Sequence, residues 1–191
     1  MGERGARASS RHVALLRGIN VGGKNMLPMK QLAAMFVNAG CGDVMTYIQS
    51  GNVVFSATDK VVTELGEVIA KQIQLRLGLQ VPLVLRTAAE IHAVIQGNPF
   101  IKAGVGEEIL HVCFLADRPG KDLISGLDAG RSAPDAFRVV GREIYMQLVN
   151  GMSRTKLTNA YFDSKLKTVS TMRNWRTVLQ LAEMMRQGYA R

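Results

Sequence analysis

Val-Met-Thr-Tyr-Ile-Gln-Ser-Gly-Asn-Val-Val-Phe-Ser, residues 44–56, decides the fold. Two runs rich in β-branched and aromatic residues, 44–49 and 52–56, meet at Ser50-Gly51, a tight-turn dipeptide, so the segment reads as a β-hairpin. Helical patterns lie on both sides of it. Upstream, Pro28 suits a first helical position, Leu32, Met35 and Phe36 follow helical spacing, and Gly40 stops a helix expected over residues 28–38. Downstream, Leu65, Val68, Ile69, Gln72, Ile73 and Leu77 form one stripe of a helix over 60–77, ended by Gly78. Strands expected over 12–19 and 81–86 complete the order β-α-β-β-α-β, and a short helix over 88–96 follows.

The second half repeats that order. A strand over 109–116 leads to a short helix near 121–127, then to strands 137–140 and 143–148 around Gly141-Arg142. A helix opening at Ser153 runs to 166, a short strand covers 168–170, and a last helix covers 173–187. Each half thus reads as a ferredoxin-like split βαβ unit with an extra helix, two antiparallel sheets in tandem, class α+β. The expected division is a disordered leader over 1–11, a first unit over 12–104 and a second over 105–191. Identity between the halves is negligible, so the repeat rests on element order.

An apolar content of 47% with 20% charged residues fits a folded soluble chain. The longest apolar run, residues 32–37, is far short of the roughly 20 residues a membrane span needs. Cys41 and Cys113 have neither CxxC spacing nor paired histidines, which argues for reduced thiols and a cytoplasmic setting without membrane contact. His12, His92 and His111 lack metal-binding spacing, so no metal and no cofactor is expected. The net charge of +9 is concentrated at the end: residues 150–191 hold eight Lys or Arg against Asp163 and Glu183. That excess suits a phosphate or polyanion partner.

Four polar segments are candidate sites. Gly18, Gly23 and Lys24 satisfy G-x-x-x-x-G-K, the spacing of a phosphate-cradling loop, but Asn25 stands where a Mg²⁺-binding hydroxyl is needed. This argues against a nucleotide hydrolase while leaving Arg17, Asn20, Lys24 and Asn25 as anion contacts. Alternation over 47–49 puts Tyr47 and Gln49 on one face, and Tyr47 with Asn52 is a secondary contact. At the helix expected from Ser153, Arg154 and Lys156 place cations in a first turn, where acidic residues are preferred. Thr171, read as a cap, puts Arg173 and Arg176 in the same situation, with Trp175 as a core or interdomain anchor.

Residues 14–25 (Ala-Leu-Leu-Arg-Gly-Ile-Asn-Val-Gly-Gly-Lys-Asn) and 46–55 (Thr-Tyr-Ile-Gln-Ser-Gly-Asn-Val-Val-Phe) resemble the domain-of-unknown-function family 1697, DUF1697. The likeness continues through Asn98-Pro99-Phe100, residues 140–145, 153–158 and 171–178. It implies a mostly bacterial, stand-alone protein of about this length with two ferredoxin-like units, and it supplies no established activity or catalytic residues. Family members often carry Arg-Ser-Lys-Leu at 154–157 and Arg-Asn-Trp-Asn at 173–176. Here Thr155 keeps the hydroxyl, whereas Arg176 replaces an amide with a charge.

The expected function is binding of an anionic ligand, a nucleotide or nucleic-acid phosphate, in a basic cleft expected between the two ferredoxin-like units and lined by Arg17, Lys24, Arg154, Lys156 and Arg173. The alternative is an enzyme acting on a small phosphorylated or carboxylated substrate, with Tyr47, Lys24 or Lys156 in acid–base roles. A second alternative is a scaffold or oligomerising protein. No motif decides whether the chain is an enzyme, and nothing in the sequence fixes its oligomeric state.

Overall fold

A computed structural model describes residues 9–187. The chain divides into two compact units, one running to Ala88 and including the chain from Met184, the other Ala89–Glu183. In the first unit β1 (Ser10–Leu16), α1 (Met29–Asn38), β2 (Gly42–Tyr47), β3 (Asn52–Ala57), α2 (Asp59–Leu77) and β4 (Leu83–Thr87) follow the expected order. Their sheet is antiparallel throughout, in the order β2-β3-β1-β4.

The α1 and α2 stripes decide which face of this sheet is covered. Leu32, Met35 and Phe36 of α1 and Leu65, Ile69 and Ile73 of α2 pack with Ala14, Leu16, Val53 and Phe55 of the strands. All are essentially inaccessible to water, and each such side chain contributes about 1.5–3 kcal/mol on burial. Phe36 and Phe55 meet with ring centroids 5.3 Å apart.

Helices α3 (Ala88–Gly97) and α4 (Pro99–Lys102) open the second unit, followed by β5 (Leu110–Leu115), α5 (Lys121–Ser125), β6 (Ala136–Val140), β7 (Glu143–Gln147), α6 (Asn159–Leu166), β8 (Ser170–Asn174) and α7 (Trp175–Gln187). This sheet is also antiparallel, in the order β6-β7-β5-β8. Cys113, Leu115, Ile144 and Met146 form a core with Tyr161, Phe162 and Leu166 of α6. The protein is therefore α+β with two four-stranded antiparallel sheets.

Several boundaries differ from expectation. Of the expected leader, residues 1–8 lie outside the described residues, while Ser10 and Arg11 pair with Ala57 and Ser56 and so belong to β1. The boundary expected at 104/105 falls inside the second unit. There α3 is held to β7 by the Tyr145 hydroxyl, which donates to the Val94 carbonyl at 3.1 Å, and by an Arg142–Glu90 ion pair. The hairpin turn takes four residues, 48–51, because Tyr47 pairs with Asn52 and Ile48 adopts φ 48°. Helix α6 does not open at Ser153: Thr158 accepts from the Tyr161 N–H at 3.2 Å and starts the helix at Asn159. Likewise Asn174, not Thr171, caps α7, accepting from the Thr177 N–H at 2.8 Å, and Thr171 and Arg173 are strand residues of β8.

Candidate functional site

The glycine loop after β1 folds back on itself. Val21 and Lys24 form a small bridge around Gly22 and Gly23, and the Lys24 N–H donates to the Val21 carbonyl at 3.0 Å. The Asn20 N–H donates to the Asn25 carbonyl at 3.1 Å, and the Leu27 N–H to Asn20 Oδ1 at 2.8 Å. These amides are engaged within the loop, so they do not converge on a phosphate as a nest requires. The asparagine side chains act as pins. Asn20 Nδ2 donates to the carbonyls of Leu27 and Gln49, both at 2.9 Å, and Asn25 Nδ2 to that of Gly18 at 2.8 Å. The exposed cation on this loop is Lys24. Arg17 is half-buried, its N–H donating to the Pro82 carbonyl at 2.9 Å.

Asn52 is fully buried and supports the hairpin, its Nδ2 donating to the Tyr47 carbonyl at 3.2 Å and to Ser50 Oγ at 3.0 Å. Tyr47, at the end of β2, is half-buried. Arg173 is buried in β8, where it donates to Thr171 Oγ1 at 2.9 Å and to the Met172 carbonyl at 2.8 Å. Burial lowers its pKa to about 10, yet the guanidinium stays charged at neutral pH.

Arg154 and Lys156 are placed differently. They flank Thr155, which is turned inward and buried, so the two cations on either side are exposed. What fixes Thr155 is a network the sequence did not announce. Ser132 Oγ donates to Asp135 Oδ2 at 2.8 Å and lies 3.4 Å from Thr155 Oγ1. The Asn150 N–H donates to Asp135 Oδ1 and the Lys156 N–H to Ser132 Oγ, at 2.8 and 2.9 Å. Burial pushes the Asp135 carboxyl up, but hydrogen bonds from Asn150, Thr155 and Ser132 outweigh it and leave its pKa below the ordinary value.

Arg131, absent from the sequence reading, joins this surface. Its Nε donates to the Lys156 carbonyl at 3.0 Å while its guanidinium carbon sits 4.2 Å above the Tyr161 ring. Arg131, Arg154 and Lys156 make no ion pair among the described residues. The signal for Arg131 is long-range, a pairing 25 residues away in sequence.

A model of the DUF1697 family, described as proteins of unknown function, matches residues 10–145. The chain belongs to this family. For this DUF1697 protein no curated protein gives a significant match. Among solved structures it is similar to the conserved bacterial protein SP0830 from Streptococcus pneumoniae, with a TM-score of 0.68 and 23% identity. The alignment covers 93% of this chain and 99% of that one. At that identity the likeness speaks to the fold alone. The matched family span ends before the Arg154–Lys156 segment, so the geometry of that segment has to carry its own argument.

Within the second unit, a cavity of about 400 Å³ is lined in part by Trp175 and Arg176 of the fourth candidate segment, and another of about 390 Å³ by none of the candidate residues. Among the described residues there is no group of three or more His, Cys, Asp or Glu side chains arranged to hold a metal ion, and no helix long and apolar enough to cross a membrane.

Proposed function

We propose that this DUF1697 protein binds an anionic ligand, with nucleic-acid phosphate favoured over a single nucleotide, at the surface formed by Arg131, Arg154 and Lys156. The observation that carries this is the preorganisation of those three cations. The Lys156 N–H is held by Ser132 Oγ, and the same network ties down Thr155, between Arg154 and Lys156, and Ser132, next to Arg131. Asp135 beneath them is buried and engaged with neutral donors, and Asp128, exposed three residues before Arg131, makes no ion pair with any of the three. Lys24 is a separate exposed cation in the first unit. An open, unpaired cationic surface captures phosphates by electrostatics and counterion release, without the enclosure a small ligand needs. Arg173, Asn20, Asn25 and Asn52 serve the fold in this reading.

We further read each four-stranded sheet as a ferredoxin-like unit, which the two equivalent strand orders support. The free, buried Cys41 and Cys113 fit a reducing bacterial cytoplasm. A thermal-shift panel of nucleotides, sugar phosphates and short single-stranded RNA and DNA, run at low and high salt, tests the binding reading. Stabilisation by oligonucleotides that disappears in high salt is expected. Stabilisation by one small phosphate that persists in high salt contradicts it.

A further inference from the structure

The two units carry a repeat below the level of ordinary sequence similarity. β1 contains His12-Val13-x-x-Leu16 and β5 contains His111-Val112-x-x-Leu115. Each valine lies opposite a buried arginine on the last strand, Arg86 for Val13 and Arg173 for Val112. The two histidines then part company. His12 pairs with Phe55 and stacks on its ring at 5.6 Å, 95% removed from solvent by a relative exposure of 5%. His111 pairs instead with Met146 and opens onto the cavity of about 400 Å³. Across from His12 and after it come Thr87, Ala88 and Ala89. Across from His111 come Asn174, Trp175 and Arg176.

Glu107, Glu108, His111, Asn174, Trp175 and Arg176 line that cavity. It carries charges of both signs, yet Arg176 forms no ion pair with Glu107 or Glu108 or with any other described residue. Arg176 also sits in the first turn of α7, where a cation opposes the helix dipole. Asn174 Oδ1 is occupied by the Thr177 N–H, which leaves its Nδ2 hydrogens unengaged among the described residues. His111 Nδ1 lies 3.4 Å from the Ile109 carbonyl, which can only accept. The proton therefore sits on Nδ1 and Nε2 is an acceptor. Burial lowers the His111 pKa and favours this neutral form.

We propose that this cavity binds a small zwitterion of the α-amino-acid class, with its ammonium at Glu107 and Glu108 and its carboxylate at Arg176 and Asn174 Nδ2. The volume suits a ligand of that size, and Trp175 supplies an apolar wall for its side chain. The site shares no residue with the Arg131–Arg154–Lys156 surface.

Trp175 is the only tryptophan, so its emission reports on the cavity. The experiment titrates the full chain with L-phenylalanine, L-leucine and L-lysine, then with the amide and N-acetyl derivative of each. At least one amino acid should change Trp175 emission saturably, with both of its derivatives weaker by about tenfold or more. Arg176→Gln should weaken that amino acid by a similar factor at an unchanged thermal midpoint. Silence with all three amino acids overturns the proposal. So does an N-acetyl derivative that binds as tightly as its parent, which would mark a plain anion site, or an amide that does, which would mark a plain cation site.

Discussion

The Tyr145 hydroxyl donates to the carbonyl oxygen of Val94 at 3.1 Å, across 51 residues of sequence. Through this bond β7 holds α3, a helix that strand order alone places at the end of the preceding unit. Tyr145 is buried, so Tyr145→Phe leaves the Val94 carbonyl unpaired at nearly constant volume. A loss of about 1–2 kcal/mol is expected, measured by urea denaturation. A variant as stable as the parent would show that this hydrogen bond is not what holds α3 to the second unit.

Gly51 is required at the first hairpin. It adopts φ 73°, and a Cβ there would lie 2.8 Å from Leu16 Cβ and 3.0 Å from Ile19 Cδ1. The same residue's carbonyl accepts from the Leu16 N–H at 2.8 Å, so the backbone has no room to move away. Gly51→Ala should cost about 1–3 kcal/mol, read from the denaturation midpoint, whereas Gly104→Ala, with φ 78° but nothing near its Cβ, should cost less.

Alkaline pH should destabilise the protein through two buried acids. Burial raises the Cys41 thiol from 9.0 to about 11. Burial, aided by the nearby Glu143 charge, raises the Tyr145 phenol from 10.0 to about 12. Both groups ionise first in the unfolded chain, so each stabilises fully below its ordinary pKa and loses that contribution as pH rises through its folded one. Stability should fall over pH 9 to 11 for Cys41 and over pH 10 to 12 for Tyr145. Cys41→Ala should remove the lower part of the fall. An unchanged pH profile in that variant would contradict this account.

Asp135 acts in the opposite pH range. Its folded pKa is lowered from 3.8, so its charged form stabilises above that value and the contribution fades as pH drops below it. Asp135→Asn should cost about 1.5–3 kcal/mol at neutral pH, with the difference from the parent shrinking in acid. A constant difference from neutral pH down to strong acid would rule out the charge as the cause.

Local signals carried much of this fold into the sequence. The αL glycine Gly78 ends α2, and the runs read at 44–49 and 52–56 pair as a hairpin, with the first strand two residues earlier, at 42–47. The misread parts are those decided by distant partners. The segment 150–157 has the composition of a helix start, but Asn150, Thr155 and Lys156 are captured by Ser132 and Asp135. Strand β8 lies later than the expected 168–170 because its residues, Ser-Thr-Met-Arg-Asn, are mostly polar and Thr171 has the composition of a helix cap. At the candidate site, Arg154 and Lys156 were legible as charges, but they do not sit in a helical first turn, because α6 begins at Asn159. Their exposure on either side of a pinned Thr155 replaces it. Arg131 has no local signature, and the cavity at His111 had one only at Trp175 and Arg176, since tertiary contacts bring Glu107, Glu108 and His111 to them.

The most direct test of the central claim is fluorescence anisotropy of a labelled single-stranded oligonucleotide, titrated with the parent chain and with an Arg131→Ala, Arg154→Ala, Lys156→Ala triple variant over a salt series. The account predicts that the parent binds with an affinity falling steeply with salt. The variant should bind more weakly at low salt, with a salt slope smaller by about one per lost phosphate contact. Equal affinity and equal slope for both proteins, at unchanged thermal stability, would contradict it.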